Sequence, residues 1–97
     1  MTRAVIVIAE GPSGRFKVSG QTARALLALV AAMKKGVTAL DVSSWAYRFS
    51  AYCFELRHKH GLAIETLREP HEGGWHGRHV LHSLVTIIDV QQAGNEA

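Results

Sequence analysis

The sequence has little of several features that would narrow its class at once. Its 97 residues include a single cysteine, Cys53, which cannot form an internal disulfide and which reads as a small core residue of a helix. No segment approaches the ~20 apolar residues that a transmembrane helix needs. The apolar run at residues 4–9 is too short for a signal-peptide core, and no small-residue cleavage site follows it. These absences predict a cytoplasmic protein without a membrane-spanning segment.

The motifs of common catalytic sites are also missing. The chain has no Gly-x4-Gly-Lys-Ser/Thr loop for phosphate binding and no nucleophile elbow. Gly73, Gly74 and Gly77 indicate a turn rather than a phosphate site, because no apolar strand precedes them and no helix follows. A chain this short has little room for a deep catalytic cleft. We therefore expect a binding protein, not an enzyme, and no cofactor.

Six histidines suggest a metal site, but their spacing argues against one. His76, His79 and His82 stand three apart on a predicted strand, where His79 points away from the other two. His58 and His60 flank a helix end, with no second cysteine to help. Zinc sites normally show tighter pairs such as Cys-x2-Cys or His-x3-His. We expect no bound metal.

The charge is distributed unevenly along the chain. The net charge is +3, and the composition, 47% hydrophobic and 20% charged, is that of an ordinary globular domain. Residues 1–48 carry seven basic and two acidic residues, a net of +5, whereas residues 49–97 carry four basic and six acidic residues, a net of −2. The first half therefore favours a polyanionic partner.

The pattern of residues predicts a β element followed by a helix. Residues 4–9 are β-branched and alanine-rich, as in a strand buried on both faces, and residues 15–18 alternate after a turn-forming segment. We interpret this N-terminal β element, residues 4–18, as a cap over a helical core; the alternative is a basic arm. From residue 19 or 20 the apolar period becomes helical, and Lys34, Lys35 and Gly36 suit the end of a helix of about four turns.

Further helices and strands follow. Thr38 suits the N-cap of a short helix at residues 39–43, with Asp41 assisting, and a third helix is predicted at about residues 45–59, ending near Gly61. Residues 62–68 and 78–82 read as strands around an irregular, glycine-rich loop at 69–77. Residues 85–90 are a strand or a short helix, and a frayed tail is expected from Gln91 onward.

This order of elements carries a resemblance to a known family. The stretch Gly36-Val-Thr-Ala-Leu-Asp-Val-Ser-Ser-Trp-Ala-Tyr-Arg-Phe-Ser-Ala-Tyr-Cys-Phe-Glu-Leu-Arg57, followed by Gly61-Leu-Ala-Ile-Glu-Thr-Leu67, is similar to the winged helix-turn-helix domains of phage and prophage proteins. The similarity covers about residues 20–83. It implies an α+β winged helix-turn-helix fold in one domain, residues 1–97, with a three-helix core and the N-terminal β element. The helix-turn-helix would span about residues 38–60 and the wing about 62–83.

The third helix divides into two faces at about 100° per residue. The apolar face, expected in the core, holds Ala46, Phe49, Cys53 and Leu56. The outward face holds Ser44, Tyr47, Arg48, Ala51 and Glu55. Arg48 can bind guanine bidentately, Ser44 and Tyr47 can bond phosphate or base edges, and Ala51 can pack on a thymine methyl. The alternative is a solvated helix face with one arginine.

Other basic residues are expected to contact the DNA backbone. Arg24, Lys34 and Lys35 lie on or at the end of the first long helix, and the wing contributes Arg68, His76 and Arg78. Glu69 and Glu72 offset the wing's positive charge, so the wing should bind less strongly than a basic one. Trp75 at its tip could stack, pack back onto the hairpin, or lie in a dimer interface.

The resemblance implies sequence-specific binding of double-stranded DNA by a small phage-like transcriptional regulator. One recognition helix reads only a few base pairs, so tight specific binding would require a homodimer or tandem sites. The rival hypothesis is a protein-binding module of phage origin, such as an inhibitor of host defence machinery. The basic first half argues against an inhibitor that mimics DNA, whereas one that binds an acidic protein surface fits the charge.

Overall fold

The computed structural model describes residues 4–38, 41–42 and 48–93. Within these ranges the chain forms six strands and two α-helices, which we number in chain order. The strands and helices are β1 Ala4–Gly11, β2 Gly14–Ser19, α1 Gly20–Ala32, β3 Val37–Thr38, α2 Phe49–His60, β4 Ile64–His71, β5 Gly74–Leu81 and β6 Thr86–Ala93. A 3-10 turn, Met33–Lys35, extends α1. No helix in the described ranges is long and apolar enough to cross a membrane.

One sheet, which we call the N-terminal sheet, has the strand order β2-β1-β6. The predicted N-terminal β element forms, as an antiparallel hairpin of β1 and β2. β6 pairs antiparallel with the other side of β1, so the expectation of a frayed tail from Gln91 onward is wrong as far as Ala93. β1 is also less buried than predicted: Val7 and Ala9 are in the core, while Ile6 and Ile8 on the opposite face are only half-buried.

The second sheet, which we call the wing sheet, has the order β3-β5-β4. The irregular loop predicted at residues 69–77 is wrong, because β4 and β5 stay paired up to His71 and Gly74 and leave a two-residue turn. Pro70 is compatible with this pairing because β4 is an edge strand, where a missing backbone N–H need not break the ladder. The turn residue Gly73 has a φ of 89°, which glycine adopts without strain.

The first long helix is confirmed as α1 with its 3-10 extension. Ala23, Leu26 and Leu29 are buried, and α1 packs against β1 and β2 of the N-terminal sheet. Gly36 ends the extension with a φ of 74°, and a Cβ there would lie 2.9 Å from the backbone oxygen of His79. The glycine therefore lets the chain pass directly from helix into β3.

The predicted three-helix core is wrong, because the described residues contain two α-helices. Thr38 ends β3, yet it also makes the predicted capping bonds. Its backbone N–H donates to Asp41 Oδ2 at 3.0 Å, and the Asp41 N–H donates to Thr38 Oγ1 at 3.3 Å. Residues 41–42 form a turn, and the rest of the predicted helix at 39–43 lies outside the described residues.

The second long helix, α2, runs from Phe49 to His60. It was predicted from about residue 45, but Arg48 is already in a turn, and residues 45–47 lie outside the described residues. Gly61 follows in the left-handed conformation, φ 68°, as expected for its stop. Phe49, Cys53 and Leu56 are buried, which confirms the apolar face; Ala46 lies outside the described residues. These side chains hold α2 against α1 and the wing sheet.

Candidate nucleic-acid interface

Contacts on two sides fix the orientation of α2. On one side, Thr22 of α1 donates from Oγ1 to Glu55 Oε1 at 3.2 Å. Beneath the helix, the Phe49 ring lies 5.4 Å from the ring of His79 in β5, and Thr66 Oγ1 of β4 lies 2.9 Å from His79 Nδ1. The helix is therefore fastened to both α1 and the wing sheet, and its remaining face points to solvent.

The solvent face of α2 and the turn before it is basic. Its exposed residues are Arg48, Ser50, Phe54, Arg57, His58 and Lys59. Phe54 is 58% exposed, and its ring lies 4.0 Å from that of His58. Glu55 is the one carboxylate of the helix and forms an ion pair with Lys59 at 3.8 Å. The face thus presents positive charge together with an exposed aromatic ring.

The residues predicted on this helix are only partly within the described ranges. Arg48 is exposed at the N-cap position of α2, and Ala51 is half-buried. Ser44 and Tyr47 lie outside the described residues. Ser50, Phe54 and Arg57 are exposed on this face without having been predicted there, although their four- and three-residue spacing in the sequence indicates one helical face.

The charge of Arg57 acts on two buried groups, the Cys53 thiol of the same helix and the His79 ring of β5. Burial raises the pKa of the Cys53 thiol to about 12, against a smaller opposing effect of the Arg57 charge. Burial also lowers the pKa of His79, and the charge of Arg57 acts in the same direction. Cys53 is therefore a protonated core residue, and the Arg57 side chain is exposed to solvent.

Within the wing, Glu69 binds two residues that were predicted to contact DNA, Arg78 and His76. Arg78 Nε donates to Glu69 Oε2 at 2.6 Å, and this bond holds the pKa of the carboxyl below its usual value. His76 Nε2 lies 3.0 Å from Glu69 Oε1. Arg78 Nη1 also donates to the backbone oxygen of Lys35 at 3.0 Å. Arg78 thus ties the wing to the end of α1, whereas Arg68 of β4 is exposed.

The basic residues predicted near the first helix lie in different surroundings. Arg24 is half-buried, and its Nη1 donates to Gln21 Oε1 at 3.2 Å. Lys34 and Lys35 are exposed in the 3-10 turn, next to the start of β3. The two lysines are therefore more accessible to a phosphate backbone than Arg24.

The histidines and Trp75 are the other residues for which the sequence suggested a role. Among the described residues, no group of three or more His, Cys, Asp or Glu side chains is placed to hold a metal ion, and the absence of metal stays a prediction. The side chain of Trp75, for which three environments were left open, lies outside the described part of the structure.

The burial of His79 predicts a pH-dependent stability. Because its pKa is lowered in the folded state, the unfolded chain takes up the proton first as the pH falls below about 6.5. The contribution of the neutral His79 ring to the free energy of unfolding is therefore fully present above that pH and is lost as the pH falls below it. Denaturant unfolding at pH 7 and pH 5 should show this loss, and His79→Gln should reduce the difference. Equal losses in both proteins would contradict it.

One protein-family model matches most of the chain. The family model described as a winged helix domain matches residues 15–91, which is 77 of the 97 residues. The matched segment runs from β2 through the wing sheet and into β6. No curated protein and no solved structure matches the chain significantly.

Proposed function

The chain belongs to the winged helix domain family, and we propose that it binds double-stranded DNA in a sequence-specific manner. The winged helix fold suggests DNA binding in general. The observation that carries the proposal is the division of α2. Phe49, Cys53 and Leu56 fix one side in the core, while the opposite side presents basic and aromatic side chains to solvent. A recognition helix needs this division, because one face must dock on the domain while the other enters the major groove.

The start of α2 is assigned to base recognition. In helix-turn-helix proteins the N-terminal residues of the recognition helix contact base edges. Arg48 and Ser50 occupy this end, and both are exposed. Phe54 follows one turn later and offers an apolar surface for a thymine methyl group. Ala51, half-buried between them, permits close approach of the helix to the groove.

Phosphate contacts are assigned to the exposed basic residues around this helix. Arg57 lies on α2, Arg68 lies on β4, and Lys34 and Lys35 lie just before β3. Arg78 contributes less, because two of its donors bind Glu69 and Lys35 within the protein. The wing is accordingly a secondary contact in this proposal.

The finer role proposed is that of a small transcriptional regulator of phage type in the cytoplasm, acting by binding and not by catalysis. The resemblance at residues 36–57 and 61–67 to phage and prophage winged helix-turn-helix domains supports this role. The exposed basic face argues against an inhibitor that mimics DNA; a module that binds an acidic protein surface is the alternative function.

Binding to a random-sequence DNA duplex at several salt concentrations tests this function. Each phosphate neutralised by a basic side chain releases a counterion, so the logarithm of affinity should fall linearly with that of salt concentration, by about 0.9 per contact. Selection from a random library should then recover a preferred site. If no duplex is bound at low salt, the DNA proposal is wrong and the protein-binding module replaces it.

A further inference from the structure

The edge strands of the two sheets differ in how well they are protected against pairing with another strand. The edges are β2 and β6 in the N-terminal sheet, and β3 and β4 in the wing sheet. Arg15 and Lys17 put two like charges on β2, and β4 contains Pro70 as well as charged residues. Charges and proline are common ways to prevent edge-to-edge association. β6, with the sequence TIIDVQQA, has no proline and one charged residue, Asp89.

β6 also exposes apolar side chains. Val90 is paired with the buried Val7 and so lies on the α1 face of the sheet, yet it is 47% exposed because α1 packs over β1 and β2. A groove of about 420 Å³ beside α1 ends at Val85, just before β6. It is lined in part by Met33, 71% exposed, and Leu84, 88% exposed. Exposed apolar side chains therefore lie just before the start of β6, whose outer edge pairs with no strand among the described residues.

We propose that this edge binds a second copy of the chain, with the two β6 strands antiparallel and Val90 opposite Val90 of the other copy. A two-fold axis perpendicular to the sheet requires each strand to meet itself at one residue. Centring the axis on Asp89 would oppose two carboxylates, which is unfavourable. Centring it on Val90 places Asp89 opposite Gln91, and these two side chains already form a hydrogen bond of 2.7 Å within one chain.

The sequence of β6 argues for a second copy of the chain as the occupant, because antiparallel pairing about Val90 places a valine against a valine and Asp89 against Gln91. Its regular portion follows a register shift that leaves Ile88 without a partner in β1, so the pairing centre lies within the regular part of the strand. Joining two copies produces one six-stranded sheet, β2-β1-β6-β6-β1-β2, with both α1 helices on the same face. The Val90 pair then lies at the two-fold axis, on the face that carries both α1 helices.

The dimer has a consequence for DNA binding, and this part rests on the proposed function. Two-fold symmetry would present two α2 helices to DNA, as needed to read a palindromic pair of half-sites. The self-association itself does not depend on DNA, so the two proposals can fail separately.

Sedimentation equilibrium of the full chain without DNA tests the dimer. The wild-type protein should sediment at twice the chain mass of 10.6 kDa, and Val90→Lys should sediment as a monomer because two like charges would oppose each other. Far-UV circular dichroism of the variant should match wild type, since Val90 is nearly half exposed. A monomeric wild-type protein at high micromolar concentration would overturn the proposal, and so would a Val90→Lys dimer.

Mixing two variants tests the register and guards against misfolding. Val90→Lys and Val90→Glu should each be monomeric alone, but an equimolar mixture should recover the dimer because opposite charges now face one another. Recovery shows that both chains are folded and that position 90 meets itself across the axis. A mixture that stays monomeric would contradict the Val90-centred pairing, and so would one whose dimers contain only one variant.

Discussion

Replacing Phe49 with alanine should lower the free energy of unfolding by about 3–5 kcal/mol, the usual cost of truncating a buried phenylalanine. Phe49 is 1% exposed and among the largest fully buried side chains of the described residues. Its ring joins α2 to His79 of the wing sheet, so truncation removes contacts to two elements and leaves a cavity between them. Urea unfolding monitored by circular dichroism measures the change.

Phe54→Ala is the matched control for this substitution. It removes the same side chain from the same helix, but Phe54 is 58% exposed and borders His58. Surface substitutions usually change stability by about 0.5 kcal/mol or less, so this variant should unfold close to wild type. If Phe54→Ala were as destabilising as Phe49→Ala, the assignment of buried and exposed faces of α2 would be wrong.

The two long helices could be predicted because their signals are local, although the third, short helix of the predicted core is not found among the described residues. The leucine and alanine period of α1, followed by two lysines and Gly36, defines a helix and its end within one stretch of chain. For α2, the spacing of Phe49, Cys53 and Leu56 identified the buried face before any partner was known. Such periods depend only on backbone geometry, so they survive in a sequence read alone.

The sheets were harder to predict because strand pairing is not local. Residues 85–90 were predicted as a strand or a short helix, and pairing with β1, whose residues lie 76 to 89 positions earlier, selects the strand and extends it to Ala93. No local pattern reveals this distant partner. In the wing, Pro70 and three glycines indicated irregular structure, yet pairing with β5 keeps the backbone extended on both sides of a two-residue turn. Tertiary pairing overrides the weak local preference in both cases.

The partners of the candidate site residues could not be predicted from local sequence either. Arg78 was selected for its charge, but its partner Glu69 is nine residues away in sequence and comes within 2.6 Å only because the hairpin register pairs β4 with β5. The backbone oxygen of Lys35, its other partner, belongs to a different element. A sequence identifies which residues are basic, whereas the fold decides which of them still have donors directed at solvent.

Substitutions on α2 and in the nearby lysines should change DNA binding in two different ways. Arg48→Ala should reduce discrimination between the selected site and its single-base variants by about 1–3 kcal/mol, because a bidentate contact to guanine would be lost. Lys34→Ala should instead weaken binding to all sequences alike and reduce the salt slope by about one unit, as expected for a phosphate contact. Fluorescence anisotropy titrations on matched and mutated duplexes separate the two effects.

Lys17→Ala provides the control for removing a positive charge. Lys17 is exposed on β2, where it pairs with Ile8 on the sheet face opposite α1, so it should contact no DNA held by α2. Its loss should leave both the affinity and the salt slope nearly unchanged. If all three variants weakened binding equally, attraction would come from net charge alone and α2 would not be a recognition helix. If Arg48→Ala and Lys34→Ala left DNA binding intact while abolishing capture by a partner protein, the exposed face of α2 would be a protein-binding surface, and the regulator proposal would be wrong.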